Sequence, residues 1–354
     1  MNARIERLRA ELRSLEAASF LVTHPVNIRY LTGFQSSNAA VAVSRERVVL
    51  VTDGRYMEAA RAVPGIEAVL AERDLFAFLG RQLEELAEPP VAFESDHVTV
   101  AAHAALVEGG IELVPGPRVV KRLRAVKEEA ELEAIRRSAR VLHDAFVRLA
   151  QERLVGRTEA EVAWWMERAI RGEGAEALAF DVIVASGPNA ALPHHHPGPR
   201  VVGPGETVIV DAGAKVDGYC SDCTRTFATG PLSDELRRAY ATCQAAQESA
   251  LAAVRADASG RGLDAIARGQ IVAAGFEALH GLGHGVGLEI HELPVLSDAS
   301  DDTLVARNAV TVEPGVYLPG RGGVRIEDFV LVTEAGAEVL TPFTKNLVTL
   351  GNIT

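Results

Sequence analysis

The stretch "VIVDAGAKVDGYCSDCTRTF", residues 208–227, sets two carboxylates, Asp211 and Asp222, into runs that otherwise read as β-strand. Asp217–Gly218 between them is a strong signal for a two-residue hairpin turn. Centring that turn between Val216 and Asp217 puts Asp211 directly opposite Asp222, with β-carbons about 4.5–5.5 Å apart. Opposed like charges destabilise a hairpin, and burial without a partner makes each charge costlier still. Either this is an edge hairpin with its acids in water, or a cation is missing from the picture.

A second hairpin shifts the balance toward the cation. "NAVTVEPGVYLPGRGGVRIEDFVLVT", residues 308–333, carries Glu313 and Glu327 in two apolar runs joined by a Gly/Pro-rich loop. Centring that loop on Gly320 sets Glu313 opposite Glu327. The segments before the two hairpins also correspond. Helices are predicted over 128–153 and 159–172, the second opened by a Thr158/Glu161 capping box, with a strand over 180–186. They are matched by helices over 233–255 and 262–275 and a segment at 284–290. His194 and His291 occupy corresponding places, 97 residues apart, as do Asp211 and Glu313, 102 apart. This is an approximate internal repeat. If its halves pack face to face, four carboxylates converge, and divalent metal is the counter-charge they require.

Upstream, residues 1–120 alternate strand-like runs (19–24, 39–52, 90–95) with helix-like ones (near 55–63, 74–87 and 98–109), an α/β layer pattern. The opening "MNARIERLRAELRSLEAAS" reads as an amphipathic helix without the apolar centre of a signal peptide. "PGPRVVKRLRAVKEEAE", 115–131, reads as the crossing into the second domain. The expected domains are 1–122 and 123–354.

Composition narrows the class. The chain has 354 residues, 48% hydrophobic and 24% charged, with mean hydropathy +0.10. No apolar run approaches a membrane span. A net charge of −12, with no basic tract, argues against nucleic acid as partner. Three cysteines cannot build a disulfide framework, which fits a reducing cytoplasm.

Four carboxylates and one imidazole balance two divalent cations. Oxygen-rich ligation suits Mn²⁺, and an imidazole keeps Zn²⁺, Co²⁺ and Fe²⁺ in play. Two metals can activate a water and polarise a carbonyl or phosphoryl oxygen. His284 in "HGLGHGVGLEIHE" (280–292) is the imidazole candidate, because its flanking glycines allow close approach. That stretch lacks the dinucleotide-binding glycine spacing, since Val286 stands where glycine is needed, and "HELPV" lacks the second histidine of a zinc-protease helix. Of the three histidines in "GPNAALPHHHPGPR" (187–200), His194 is the candidate, through its repeat partner His291. His280 reads as a packing residue or one that supports the site from behind. Cys220 and Cys223 are three apart on a strand and point to opposite faces, and Cys243 reads as helix core.

"VDAGAKVDGYCSDCTRTF", "HGLGHGVGLEIHE", "VEPGVY" and "RIEDFVLVT" together resemble the pita-bread metallopeptidases, and more closely their prolidase/aminopeptidase P branch. "NIRYLTGF" (27–34) and "TDGRYMEAA" (52–60) resemble that branch's amino-terminal domain, so the likeness covers nearly the whole chain. The fold it implies is an α/β amino-terminal domain of creatinase/prolidase type, followed by an α+β, pseudo-twofold pita-bread catalytic domain. The resemblance implies Asp211, Asp222, His284, Glu313 and Glu327 as ligands of two metal ions. Asp222 and Glu327 would bridge them, and Glu313 would also shuttle the proton. His194 and His291 match substrate-contacting histidines, and Arg325 matches a basic position near the site.

The activity implied is hydrolysis of the bond preceding proline in small proline-containing peptides, with Mn²⁺ expected and Zn²⁺ or Co²⁺ as alternatives. Xaa-Pro dipeptidase is the expected form, on the compactness of the chain, with aminopeptidase P as its alternative. From other classes, a two-metal phosphoesterase fits the carboxylates alone, and a non-catalytic peptide-binding protein fits the fold. A cytoplasmic homodimer is expected, with no carboxy-terminal dimerisation extension after Thr341.

Overall fold

The amino-terminal apolar runs form β1 (Ser19–Val22), β2 (Ala39–Ser44), β3 (Val48–Thr52), β4 (Glu67–Leu70), β5 (Val91–Phe93) and β6 (Leu113–Pro115) of a computed structural model that describes residues 2–350. They pair as one mixed sheet in the order β4-β3-β2-β1-β5-β6. β1, β2, β3 and β5 are buried along their whole length, which is why they read as unbroken apolar runs rather than alternating ones. Around them lie α1 (Ala3–Leu12), α2 (Pro25–Thr32), α3 (Met57–Arg61), α4 (Leu75–Leu86), α5 (Val100–Val107) and α6 (Val119–Ala125).

Several boundaries differ from expectation. The run at 39–52 is two strands, turned back by Arg45–Arg47. The opening helix stops at Leu12. β4 and β6 are short and partly exposed, so they lack the burial pattern that betrays a strand. α2 begins on Pro25, where a missing N–H is harmless. This unit ends at Arg124, and a second begins at Ala125.

The second unit runs α7 (Glu129–Leu149), α8 (Glu159–Gly172), β7 (Ala177–Leu178), β8 (Ile183–Ser186), β9 (Thr207–Ala212), β10 (Ala214–Val216), β11 (Tyr219–Cys220) and β12 (Cys223–Ala228). The plan then repeats with α9 (Asp234–Ala253), α10 (Gly260–Ala273), β13 (Gly283–Gly285), β14 (Glu292–Leu296), β15 (Ala309–Val312), β16 (Gly315–Leu318), β17 (Gly322–Arg325), β18 (Asp328–Val332) and β19 (Ala337–Val339). β12-β9-β8 form one sheet and β14-β13-β15-β18-β19 another. The Thr158/Glu161 capping box forms as predicted. Apolar side chains of α9 and α10 cover the second sheet, while those of α7 and α8 cover the first. Cys243 lies in the core under the second sheet, and all three cysteines are buried, with no disulfide among the described residues.

The first hairpin corrects the predicted register. Lys215 pairs with Cys220, Val216 with Tyr219, and Thr224, not Asp222, with Asp211. The turn is centred one residue later than expected, because Asp217 and Gly218 both take positive φ (50° and 82°). That is the primed geometry that matches strand twist. The second hairpin keeps the predicted register. Gly315 pairs with Arg325 and Val312 with Asp328, which leaves Glu313 and Glu327 facing each other in the gap between strand pieces.

Candidate metal centre

Asp211 sits near the end of β9. Asp222 sits in the break between β11 and β12. That break is held from behind by the buried Ser138 of α7, whose hydroxyl donates to Ala214 O at 2.9 Å and lies 3.0 Å from Ser221 Oγ. Ligating oxygens of Asp211, Asp222 and Glu327 all lie within 4.8 Å of one another. His284 Nε2 lies 3.2 Å from Glu313 Oε1 and 3.7 Å from Asp222 Oδ2. All five candidate ligands therefore converge. The glycines around His284 serve close packing: a β-carbon at Gly283 would stand 2.2 Å from Thr311 O, and one at Gly285 2.1 Å from Leu293 O.

Hydrogen bonds orient four of the ligands, His284, Glu313, Glu327 and Asp211. His284 Nδ1 is 3.0 Å from Gly285 O. A carbonyl only accepts, so Nδ1 carries a proton and Nε2 is the nitrogen turned toward the acids. Burial lowers the imidazole pKa but Glu313 raises it further, so without metal Nε2 donates to Glu313. With metal, its lone pair would be the ligand. The Thr311 hydroxyl donates to Glu313 Oε1 at 3.0 Å. The Thr224 hydroxyl donates to Glu327 Oε2 at 2.7 Å and accepts from Arg325 Nε at 3.2 Å. Arg325 Nη2 donates to Asp211 Oδ2 at 2.7 Å, and Nη1 to Pro193 O and Tyr317 Oη at 3.1 and 3.0 Å. Tyr317 Oη lies 2.9 Å from His280 Nε2, whose Nδ1 is 2.8 Å from Gly281 O. His280 thus lines the cavity and supports Arg325 through Tyr317, within the packing or supporting role expected of it.

The charges are unbalanced. Burial, and then the neighbouring acids Glu327 and Asp211, push the Asp222 carboxyl well above the usual carboxylate range. Burial, followed by Glu313 and Asp211, does the same to Glu327. Burial raises Asp211 too, against the pull of Arg325. Burial opposes the ionised form of Glu313 as well, but the adjacent His284 holds it down, to about 2. Asp211 Oδ1 and Glu327 Oε1 are buried without a hydrogen-bond partner among the described residues. Such atoms are rare in folded proteins and point to an ion or a water as partner. Two orphaned oxygens on converging carboxylates, beside an imidazole oriented through Nδ1, fit divalent metal.

The acids open into a cavity of about 400 Å³ whose walls include Phe180, Ile183, Ile290, Val295 and Leu296, with His194, His280 and His291 among its polar groups. His194 and His291 are exposed toward it, and the His291 ring meets that of His284 edge-on at 4.4 Å. His195 takes another path. Its Nε2 is 2.7 Å from Glu159 Oε2, and Glu159, wholly buried, also accepts from Ser186 N, Ser186 Oγ and Asn189 Nδ2. This network pins the turn that leads to His194. The sequence signalled Glu159 only as the first residue of a capped helix.

Residues 133–334 match metallopeptidase family M24, and residues 4–126 match the creatinase/prolidase N-terminal domain. The chain belongs to metallopeptidase family M24. It is 36% identical over 352 residues to an uncharacterized peptidase, YqhT, of Bacillus subtilis, covering 98% of this chain and 100% of that protein. Its fold matches an Xaa-Pro dipeptidase from Bacillus anthracis with TM-score 0.93 and 38% identity, over 98% and 99% of the two chains. It also matches an X-Pro aminopeptidase from Thermotoga maritima with TM-score 0.85 and 33% identity, over 96% and 100%. The protein is a pita-bread enzyme of the prolidase/aminopeptidase P type, in a family that uses divalent metal. No helix among the described residues is long and apolar enough to cross a membrane.

Proposed function

We propose that this metallopeptidase is an Xaa-Pro dipeptidase, hydrolysing the bond before proline at a dinuclear centre held by Asp211, Asp222, His284, Glu313 and Glu327. The observation that carries the reading is the convergence of these five side chains, four of them lining one cavity and Glu327 clustered with Asp211 and Asp222, with two carboxylate oxygens left unpaired. The likeness to the Bacillus anthracis Xaa-Pro dipeptidase supports the choice of substrate. Metal held there would supply Lewis-acid polarisation of the scissile carbonyl and a nucleophile at neutral pH.

The chain's own residues do the rest. His194 and His291 border the cavity and would donate to the oxygen on which charge develops. Glu313 would carry the proton to the departing proline nitrogen. An Xaa-Pro bond has no N–H, and the apolar walls suit a ring that asks for no hydrogen bond. Mn²⁺ as the metal, a homodimer as the assembly and the cytoplasm as the compartment belong to the same reading. Elemental analysis, sedimentation and cell fractionation test them in turn.

One observation favours a second reading, aminopeptidase P. Arg325, the guanidinium that could meet the free carboxylate of a dipeptide, is engaged by Asp211, Thr224, Pro193 and Tyr317. That leaves the histidines to meet a carboxylate. Hydrolysis of Ala-Pro and Ala-Pro-Ala by the Mn²⁺-loaded enzyme separates the two. The dipeptidase reading expects Ala-Pro to be cleaved at least about tenfold faster, roughly 1.4 kcal/mol in transition-state binding. Equal rates assign aminopeptidase P, and no cleavage of either removes the proline reading.

A further inference from the structure

The two halves of the second unit meet along a seam between β12 and residues 325–327. Glu327 N donates to Thr224 O at 3.1 Å. The Thr226 hydroxyl donates to Arg325 O at 2.8 Å and accepts from Arg325 N at 3.0 Å. Candidate ligands lie on both sides of this seam, so its spacing sets theirs.

A second guanidinium lies on the seam, on β12 next to Thr224. Arg225 is 1% exposed. Its Nη1 donates to Thr224 O at 3.0 Å and makes a short hydrogen bond to Glu327 O, so one nitrogen holds backbone from both halves. Nη2 donates to Asp328 Oδ1 at 2.8 Å and to Thr341 O and Phe343 O at 3.2 and 2.6 Å. Nε reaches Phe343 O and Thr344 O at 3.3 and 3.1 Å. Asp328 Oδ2 accepts in turn from Lys345 Nζ at 2.7 Å and Gln247 Nε2 at 3.0 Å. Residues 341–345 carry no candidate ligand, yet they are tied to the two strand segments that do.

We propose that Arg225, braced by residues 341–345, is a positioning residue of the metal centre. It fixes the separation of Asp211 and Asp222 from Glu313 and Glu327. The inference rests on reading those residues as ligands. Arg225 spans the seam through its several N–H groups, so it acts through geometry more than through its charge. Acids brought together at one site repel, and the hairpins relieve that repulsion by parting along the seam. A fork of N–H groups bonded to Thr224 O and Glu327 O opposes the parting. Lysine carries the same charge on a single flexible head and cannot hold both sides together with residues 341–345.

The test compares the EDTA-stripped full chain with Arg225→Lys and Lys345→Met. Mn²⁺ affinity is measured by calorimetry, and melting temperature with and without Mn²⁺. Arg225→Lys is expected to bind Mn²⁺ at least about tenfold more weakly, the scale on which supporting residues tune metal sites. The metal-induced rise in Tm should shrink in step. A residue that only holds the fold lowers both melting temperatures equally and leaves affinity unchanged, and that result overturns the proposal.

Lys345→Met keeps the Arg225–Asp328 pair and removes only a tie to residue 345. It is expected to weaken Mn²⁺ measurably but by less than the roughly tenfold at the lower end for a supporting partner, with the metal-free Tm nearly unmoved. If Arg225→Lys does not accumulate as folded protein, unchanged affinity in Lys345→Met overturns the proposal. If the native chain itself takes up no Mn²⁺, Co²⁺ or Zn²⁺, the ligand reading fails and the inference falls with it.

Discussion

The two hairpins of the second unit bring their acids together by different registers. In the second, Glu313 and Glu327 face each other across a gap in the ladder. In the first, Asp211 faces Thr224, and Asp222 lies two residues nearer the turn. The opposed place is used all the same. The Thr224 hydroxyl joins Glu327 to Arg325, and through Arg325 to Asp211. One hairpin spends both opposed positions on acids. The other spends one on an acid and one on the group that links the two halves. Function therefore depends on where the oxygens end, and register is only one way to bring them there.

If the halves contribute equally, Asp222→Asn and Glu327→Gln should fail alike. Each should bind well under two metals per chain and lose more activity than the roughly hundredfold at the upper end for losing a supporting partner. Elemental analysis with turnover measures both. Full metal content and native turnover in either variant would remove that residue from the centre.

Metal removal acts on both hairpins at once. Ligand at about a hundred times its dissociation constant stabilises the native state by about 2.7 kcal/mol, so EDTA should lower the Tm and Mn²⁺ should restore it. The loss should depend on pH. The raised pKa values of Asp222 and Glu327 lie above their unfolded values, so the metal-free folded chain holds protons that the unfolded chain releases. Their contribution is fully present below about pH 4 and is lost as pH rises through the raised values. Glu313 runs the other way: its contribution fades only as pH falls toward about 2. The gap between metal-loaded and metal-free Tm should therefore widen from mildly acid to alkaline pH. A constant gap would mean that the acids do not share one field.

Thr224→Val tests the asymmetry itself. It keeps the shape at the position opposite Asp211 but strands Glu327 Oε2 and Arg325 Nε. Metal affinity should fall about tenfold, read by calorimetry, whereas the second hairpin has no hydroxyl at its opposed position to lose. An unchanged affinity would make Thr224 a spacer.

Much of this was legible in the residues. The repeat, the second register and the gathering of four acids follow from spacing and from the expense of burying charge. His284 stood out by its flanking glycines, and the ligand roles of all five came from the family resemblance. The first register was missed because a two-residue turn is centred by whichever residues accept positive φ, and Asp217 accepts it beside Gly218. Glu159 and Arg225 were invisible for another reason. Their partners are backbone groups and side chains up to 119 positions away, and no local pattern announces such pairing. β4 and β6 were missed because partial exposure blurs the strand signal.

The smallest expected effect lies at the turns. Gly218 and Gly320 both take positive φ, 82° and 76°, and nothing lies within 4 Å of a β-carbon added at Gly320. Alanine at either site should cost about 1 kcal/mol through backbone conformation alone, read as a shift in denaturant midpoint. Neither change should alter metal content or turnover. In the first hairpin the ladder is interrupted between turn and ligands, at Gly213 on one strand and at Ser221–Asp222 on the other, and Ser138 holds Ala214 O and Ser221 there. In the second hairpin, β16 and β17 are continuously paired from the loop to Gly315 and Arg325, next to Glu313 and Glu327. If one turn does reach its ligands, the comparison says which: Gly320→Ala should disturb metal binding before Gly218→Ala does. The reverse order would show that the Ser138-held break transmits strain instead of absorbing it.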